Sequence, residues 1–167
     1  MEVSSVPDGW LDTEQYMDAA RQPVPDNQEI LVEPLPDGDV LIKPSILFVD
    51  LHEMVDAPDV QHATWRHVED ILERMGTPSP CDTSPARVAS FPPPGAVARD
   101  DREAAAATVE IELGAAQVLT AYVVRVPRAR VDIVLSAVLR TGSGAPVLDL
   151  AGVCSSLAVI DWGLFVT

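Results

Sequence analysis

The chain has 167 residues, 47% of them apolar, which suits one domain with a substantial core. Its formal charge is −15, from 26 acidic residues against 11 Lys and Arg. Such a surface repels nucleic-acid phosphates and anionic lipid, so we expect no nucleic acid and no membrane as a ligand. It attracts a basic protein partner, although excess acid also serves simply to keep a protein soluble.

The N-terminal third of the chain predicts short strands separated by turns. Asp12 is placed to cap a short helix over residues 13–20, which Pro23 and Pro25 end. Apolar runs with β-branched residues predict strands at 3–6, 29–33, 40–42 and 46–51. The last of these runs is typical of a strand covered on both faces.

The clearest predicted helix follows the strand at 46–51. Asp56 is a candidate N-cap, with Asp59 three residues later, where its charge suits the helix dipole. Gly76 and the proline after it predict the end of the helix. One apolar stripe at helical spacing is expected to face the core: Val60, Thr64, Val68, Ile71, Leu72 and Met75.

The remainder of the chain predicts mostly strands. Residues 86–91 and 108–113 predict strands, while 92–103 predicts a mobile surface loop and 104–107 a helical turn. The strongest strands, 118–126 and 131–139, are separated by four residues and predict an antiparallel hairpin. A last helix is expected after Pro146, and the apolar residues 160–165 are expected to dock on the body.

The order of these elements predicts the fold class. Consecutive antiparallel strands with segregated helices indicate an α+β protein, a central antiparallel sheet flanked by helices. No internal repeat or domain boundary is visible, so residues 1–167 are read as a single domain. The apolar runs are shorter than the ~20 residues of a membrane helix, and no secretory signal is expected.

Few residue patterns point to catalysis or to a cofactor. His62 and His67 are five apart rather than four, so no metal site is expected, and no Gly-rich phosphate loop is present. His67 is read as a packing residue with one satisfied hydrogen bond. Cys154 lies on an apolar helix face and is expected to be inert, and Cys81 has no activating neighbour. Two cysteines form no disulfide framework, which favours a reducing, intracellular compartment.

Several blocks of sequence stand in a recognisable order. They are Val-Pro-Asp-Asn-Gln-Glu at 24–29, Val-Asp-Leu-His-Glu at 49–53, His-Val-Glu-Asp at 67–70, the hairpin residues 123–126 and 132–136, and Ile-Asp-Trp-Gly-Leu-Phe at 160–165. The pattern resembles the Mog-type Ran guanine-nucleotide release factors. The resemblance implies an α/β/α sandwich, a fold shared with a photosystem subunit family of the PsbP type.

The resemblance also implies a function. A protein of this family binds the small GTPase Ran, promotes loss of its guanine nucleotide and supports nuclear protein import, without catalysing bond chemistry and without a cofactor. It implies a monomer in nucleus and cytoplasm, with the acids at the Asp-Leu-x-Glu positions, Asp50 and Glu53, on the Ran-binding surface. Other candidate contacts are Asp26, Glu29, Asp56, Glu69 and Asp70.

Alternatives to these roles remain open on the sequence. Asp26 and Asp56 are also typical of turn and capping residues. The family's usual N-terminal Gly-Gly segment is missing and its middle region is shorter here, which leaves room for an acidic adaptor that binds a different basic protein. A small enzyme that uses His52 or His67 would require a pocket joining a histidine, a carboxylate and a nucleophile.

Overall fold

The computed structural model describes residues 10–12, 28–33, 45–77, 88–114, 117–141 and 148–159. Within them the strands are β1 (Leu11–Asp12), β2 (Gln28–Val32), β3 (Ile46–Glu53), β4 (Ala89–Phe91), β5 (Ala105–Glu112), β6 (Gln117–Val126) and β7 (Val131–Arg140). The helices are α1 (Val60–Arg74), α2 (Gly95–Asp100) and α3 (Leu150–Ser156). The elements expected at 3–6, 13–20 and 40–42, and the tail at 160–165, lie outside the described residues.

The strands form one antiparallel sheet in the order β1-β2-β3-β7-β6-β5-β4. The predicted hairpin is confirmed: β6 and β7 are each 10 residues long and lie at the centre of the sheet. A single 3₁₀ turn, Pro127–Ala129, joins them, and Arg130 closes it in the left-handed region with φ 57°. Their Val- and Leu-rich sequences suit strands that are covered on both faces.

Helix α1 covers one face of the sheet, which we call the α1 face. It packs on β5 and β6 through side chains spaced three and four apart. These side chains meet apolar residues of the two strands in one buried cluster that includes Val60, Trp65, Val68, Leu72, Ala107, Val109, Ile111, Leu119 and Ala121. The predicted stripe is therefore confirmed for most of its length.

The N-terminal boundary of α1 differs from the prediction. The N-cap is Asp59, whose carboxylate accepts a hydrogen bond from the His62 backbone N–H at 2.8 Å. Asp56 is exposed and lies before the helix, so its predicted role as the cap is wrong. Residues 54–58 form an irregular connection between β3 and α1. The capping pattern in the sequence did not reveal this connection. At the other end Gly76, with φ 65°, follows the C-cap as predicted.

Helices α2 and α3 cover the opposite face, which we call the α3 face. Val97 of α2 and a row of α3 residues pack against β3, β6 and β7 in a second buried cluster that includes Leu47, Val49, Val124, Ile133, Leu135, Leu150, Val153 and Cys154. Helices on both faces of one antiparallel sheet make an α/β/α sandwich. The predicted fold class is confirmed.

Two predictions for the middle of the chain are wrong. The proposed mobile loop at 92–103 contains helix α2, which buries Val97 completely. The alanine run at 104–107 is not a helical turn, because β5 begins at Ala105 and pairs with Arg125 of β6. Pairing with a central strand outweighs the local helix preference of alanine.

Candidate functional site

Asp50 lies on β3, the strand that the sequence singled out. Side chains alternate along a strand, and Leu47 and Val49 belong to the α3 face, so Asp50 points to the α1 face. It is 5% exposed. Its Oδ1 accepts a hydrogen bond from Nε2 of Gln28, its directly opposite residue on β2. This carboxylate is therefore buried with a neutral amide as its hydrogen-bond donor.

The environment of Asp50 disfavours its ionised form. Burial raises the pKa of the Asp50 carboxyl above its usual value, and the Gln28 hydrogen bond and the charges of His52 and Arg74 offset this only in part. A carboxylate with a raised pKa gains most from a partner that brings a positive charge.

Asp50 lines a groove on the α1 face. The groove has a volume of about 540 Å³ and lies where the C-terminal turn of α1 passes over β3 and β7. Its walls are mostly apolar, with Phe48 from the sheet and Ile71 and Met75 from the helix end, and Arg74 also lines it. We call this feature the α1 groove. Its size falls within the range of about 300–1,000 Å³ that is typical of ligand-binding clefts.

Glu53 lies on the other side of the sheet from Asp50. Strand β3 runs on to Glu53, three residues beyond Asp50, and an odd spacing places two side chains on opposite faces. Glu53 is exposed at the end of the strand, on the α3 face with Val49. The two acids that the sequence grouped together therefore share one strand end but no common surface patch.

The remaining candidate acids are dispersed. Glu29 is exposed and lies opposite Val49, so it shares the α3 face with Glu53. Asp26 lies outside the described residues. Glu69 and Asp70 are exposed on α1, where Asp70 forms an ion pair with Arg74 at 2.7 Å. Asp56 is exposed in the connection between β3 and α1.

A buried ionic cluster holds the connection that carries Asp56. Asp132 of β7 is completely buried and accepts hydrogen bonds from Nε of Arg125 at 2.9 Å and from Nε2 of His67 at 3.0 Å. It also accepts from the backbone N–H of Val55 at 3.0 Å. Arg125 in turn donates to the carbonyl oxygens of Val55 at 2.6 Å and Ala57 at 3.0 Å. We call Arg125, Asp132 and His67 the buried ionic cluster.

The cluster determines the ionisation of Asp132. Burial alone acts to raise its pKa, but the hydrogen bonds from His67, Arg125 and Val55 outweigh burial, and the pKa is lowered. The reading of His67 as a packing residue with a satisfied hydrogen bond is confirmed. Arg125 and Asp132 were not predicted from the sequence as residues of this site. The available signal was one charged residue near the hairpin end of each strongly apolar strand, in β6 and in β7.

His52 completes this end of the α1 face. Its ring lies 5.1 Å from the ring of His67, centroid to centroid. Burial, and then the electrostatic effect of the nearby His67 ring, lower the pKa of the His52 imidazole. The contact joins β3 to α1 beside Asp50. The partner of His67 is a carboxylate that Arg125 also holds, which is the arrangement of a structural ion network.

Two further properties concern metals and membranes. Across the described ranges, no group of three or more His, Cys, Asp or Glu side chains is arranged to hold a metal ion. None of the helices found in those ranges has the length and apolar character that a bilayer-crossing helix requires.

Solved structures with the same fold exist. The crystal structure of the Saccharomyces cerevisiae Ran-binding protein Mog1p matches with a TM-score of 0.50 and 24% identity, over 82% of this chain and 70% of that chain. A structure of a point mutant of protein Mog1 matches with the same TM-score and identity, over 83% of this chain and 71% of that chain. No family model matches the chain, and no curated protein does. The likeness confirms the Mog-type fold that the sequence predicted.

Proposed function

We propose that this protein binds the small GTPase Ran and promotes the release of its guanine nucleotide, and so supports nuclear protein import. The observation that carries the proposal is the Mog-type fold, matched over most of the chain by a Ran-binding protein. The five sequence blocks that resemble the Mog-type family stand along this chain in the order of the family's pattern. Such a role breaks and forms no covalent bond and needs no cofactor, and it places the protein in nucleus and cytoplasm.

The acidic composition favours this role. A net charge of −15 accelerates encounter with a basic surface and helps to orient the partner. Within the site we assign the main contacts to the end of β3, where Glu53 is exposed and Asp50 lines the α1 groove. We place Glu29, Asp26, Asp56, Glu69 and Asp70 among the surrounding contacts.

Nucleotide release imposes a thermodynamic condition. The protein must bind nucleotide-free Ran more tightly than nucleotide-loaded Ran. Linkage then requires that the bound protein lower the affinity of Ran for its nucleotide by the same factor. Couplings of this kind usually amount to roughly 5–150-fold in affinity. We therefore expect tighter binding to nucleotide-free Ran by a factor in that range.

Release of a fluorescent guanine nucleotide from Ran, with and without this protein, tests the proposal directly. Acceleration that grows with protein concentration is the expected result, together with tighter binding to nucleotide-free Ran in a parallel titration. Unchanged release together with equal affinity for both forms of Ran would exclude the release function.

A charge-reversal pair tests the position of the site. Glu53→Lys is expected to weaken Ran binding by about tenfold, the scale of an important interface residue. Glu110→Lys is the matched control, because Glu110 is also exposed but lies on β5, and strands β7 and β6 separate β5 from β3. Both variants change the net charge equally. Equal losses would mean diffuse attraction and no site at β3.

An acidic adaptor is the second candidate function. The separation of Asp50 from Glu53 onto opposite faces favours it, because these two acids do not form a single patch at the end of β3. An adaptor of this fold would bind a different basic protein and would leave nucleotide release by Ran unchanged. The release assay therefore separates the two candidates.

A further inference from the structure

Two buried aspartates on the α1 face have contrasting surroundings. Asp132 is completely buried and is held by Arg125 and His67. Asp50, 5% exposed, has the neutral amide of Gln28 as its hydrogen-bond donor, and no ion pair of Asp50 is found among the described residues. Burying a carboxylate without an opposite charge is costly. Asp50 is thus a buried acid with no cation in direct contact among the described residues.

The opening beside Asp50 is mostly apolar. The α1 groove, about 540 Å³ in volume, is walled by Phe48, Ile71 and Met75. Met75 is 43% exposed, and it is the large hydrophobic residue that stands out as exposed in the described ranges. Methionine is flexible and polarizable, and it is well suited to contacts with varied apolar surfaces.

Arg74, the cation that lines the groove, is already engaged. Its Nη2 donates to the Asp70 carboxylate at 2.7 Å, one turn earlier on α1. Both side chains of that pair are more than half exposed, at 53% and 58%. Arg74 therefore offers Asp50 a distant charge, with no direct bond between the two side chains.

An apolar wall and an anionic floor fit one kind of occupant. Lysine and arginine carry an aliphatic stem that packs on apolar surface and a charged head that requires an anion. The groove is larger than one such side chain, so a neighbouring apolar residue can enter beside it. The complementary ligand is a short peptide segment with a basic residue next to a large apolar residue.

We infer that the α1 groove is a binding recess for a partner segment in which a lysine or arginine lies beside a large apolar residue. The basic head pairs with Asp50, and the apolar residue packs on Ile71 and Met75. The inference deepens the proposed function and rests on it for the identity of the partner. It adds apolar packing to a contact that charge attraction alone would otherwise explain.

Substitutions in the apolar wall test the inference with Ran. Ile71→Ala and Met75→Ala are each expected to raise the Kd for nucleotide-free Ran by about fivefold or more, as for residues that matter in an interface. Asp50→Asn, which keeps the shape of the side chain, should raise it by about tenfold. Glu73→Ala is the matched control: Glu73 is exposed on the same helix and does not line the groove. It should leave the Kd unchanged.

The outcomes separate this inference from the proposed function. If Ran binds, and Glu53→Lys weakens it while Ile71→Ala and Met75→Ala do not, the groove inference is overturned and Ran binding stands. If the wall variants lower the melting temperature and leave the Kd unchanged, other residues of this chain fill the groove. The inference is then overturned as well.

A peptide titration decides the case in which Ran does not bind at all. The full chain, labelled at its methionine methyl groups, is titrated with N-acetyl-Leu-Lys-Leu-amide and, as control, with N-acetyl-Leu-Glu-Leu-amide. We expect the Met75 signal to shift with the lysine peptide at millimolar concentration, as for a weak fragment of about −4 kcal/mol, and not with the control. The Asp50→Asn variant should abolish the shift. A Met75 signal that stays in place, or that responds equally to both peptides, overturns the inference.

Discussion

Arg125 and Asp132 lie directly opposite each other on β6 and β7, and two nitrogens of the guanidinium donate to the two carboxylate oxygens at 2.9 and 3.2 Å. Both residues are buried, at 8% and 0% exposure. Arg125 also binds the carbonyl oxygens of Val55 and Ala57. One ion pair thus ties the central hairpin to the connection between β3 and α1.

Removal of the acid from this pair should be severely destabilising. Asp132→Ala leaves the Arg125 charge buried without its anion and leaves His67 without its hydrogen-bond partner, so we expect a loss of about 3–5 kcal/mol in the free energy of unfolding. Urea denaturation at neutral pH measures it. The control is Asp70→Ala, which breaks the exposed pair with Arg74 and should cost about 0.3–0.5 kcal/mol. Similar losses for both variants would contradict this account of the cluster.

The cap of α1 can be tested with two neighbouring aspartates. Asp59→Ala removes the acceptor for the His62 N–H and should lower the melting temperature by roughly a few degrees. Asp56→Ala should leave it unchanged, because Asp56 lies before the helix. Circular dichroism during heating gives both values. A larger effect for Asp56 would restore the boundary that the sequence suggested.

The two buried aspartates should respond to pH with opposite signs. The pKa of Asp132 is lowered in the folded protein, so its stabilisation is complete above the unfolded pKa, about 3.9, and is lost as the pH falls through the folded pKa. The pKa of Asp50 is raised by burial, so ionisation of Asp50 lowers stability once the pH rises above about 3.9.

Asp50→Asn should therefore stabilise the fold at pH 7, by a gain on the order of 1 kcal/mol, and the gain should vanish below pH ~4. Urea denaturation of this variant and the natural protein across that pH range measures the difference. A variant that is less stable at pH 7 would show that the ionised Asp50 has a stabilising partner. If Asp50→Asn also weakens Ran binding, the substitution increases stability and reduces function.

Cys154 is predicted to be unreactive in the folded protein. It is completely buried on α3, and burial raises the pKa of its thiol to about 12, so almost no thiolate forms at neutral pH. In a Cys81→Ser background, iodoacetamide should label the chain only after unfolding, as read by intact mass. Rapid labelling of the native protein would show that α3 opens readily from the sheet.

The sequence predicted the elements whose patterns are local. The hairpin of β6 and β7 and the apolar stripe of α1 follow from residue spacing alone, and both are found. Helix α2 was missed because its single buried residue, Val97, lies among prolines and charges that look like a loop. Its formation depends on contact with the α3 face, which no local pattern reveals.

The candidate site, too, could be predicted from local sequence patterns only in part. The acids at 50 and 53 are prominent in the sequence, but their separation onto two faces depends on β3 continuing as far as Glu53. The Arg125–Asp132 pair depends on the register of the hairpin. The hydrogen bond from Arg125 to the Val55 carbonyl joins residues that are 70 positions apart in the chain. Contacts between positions so distant in sequence come from the topology of the sheet.

The two edge strands of the described sheet are short, β1 with 2 residues and β4 with 3. Long, flat outer strands act as templates on which other chains add and aggregate, and short ones offer few free backbone groups for such growth. The long apolar strands β6 and β7, which would be the most adhesive, lie at the centre. We therefore expect the two edges of the described sheet to offer little template for fibre-like growth.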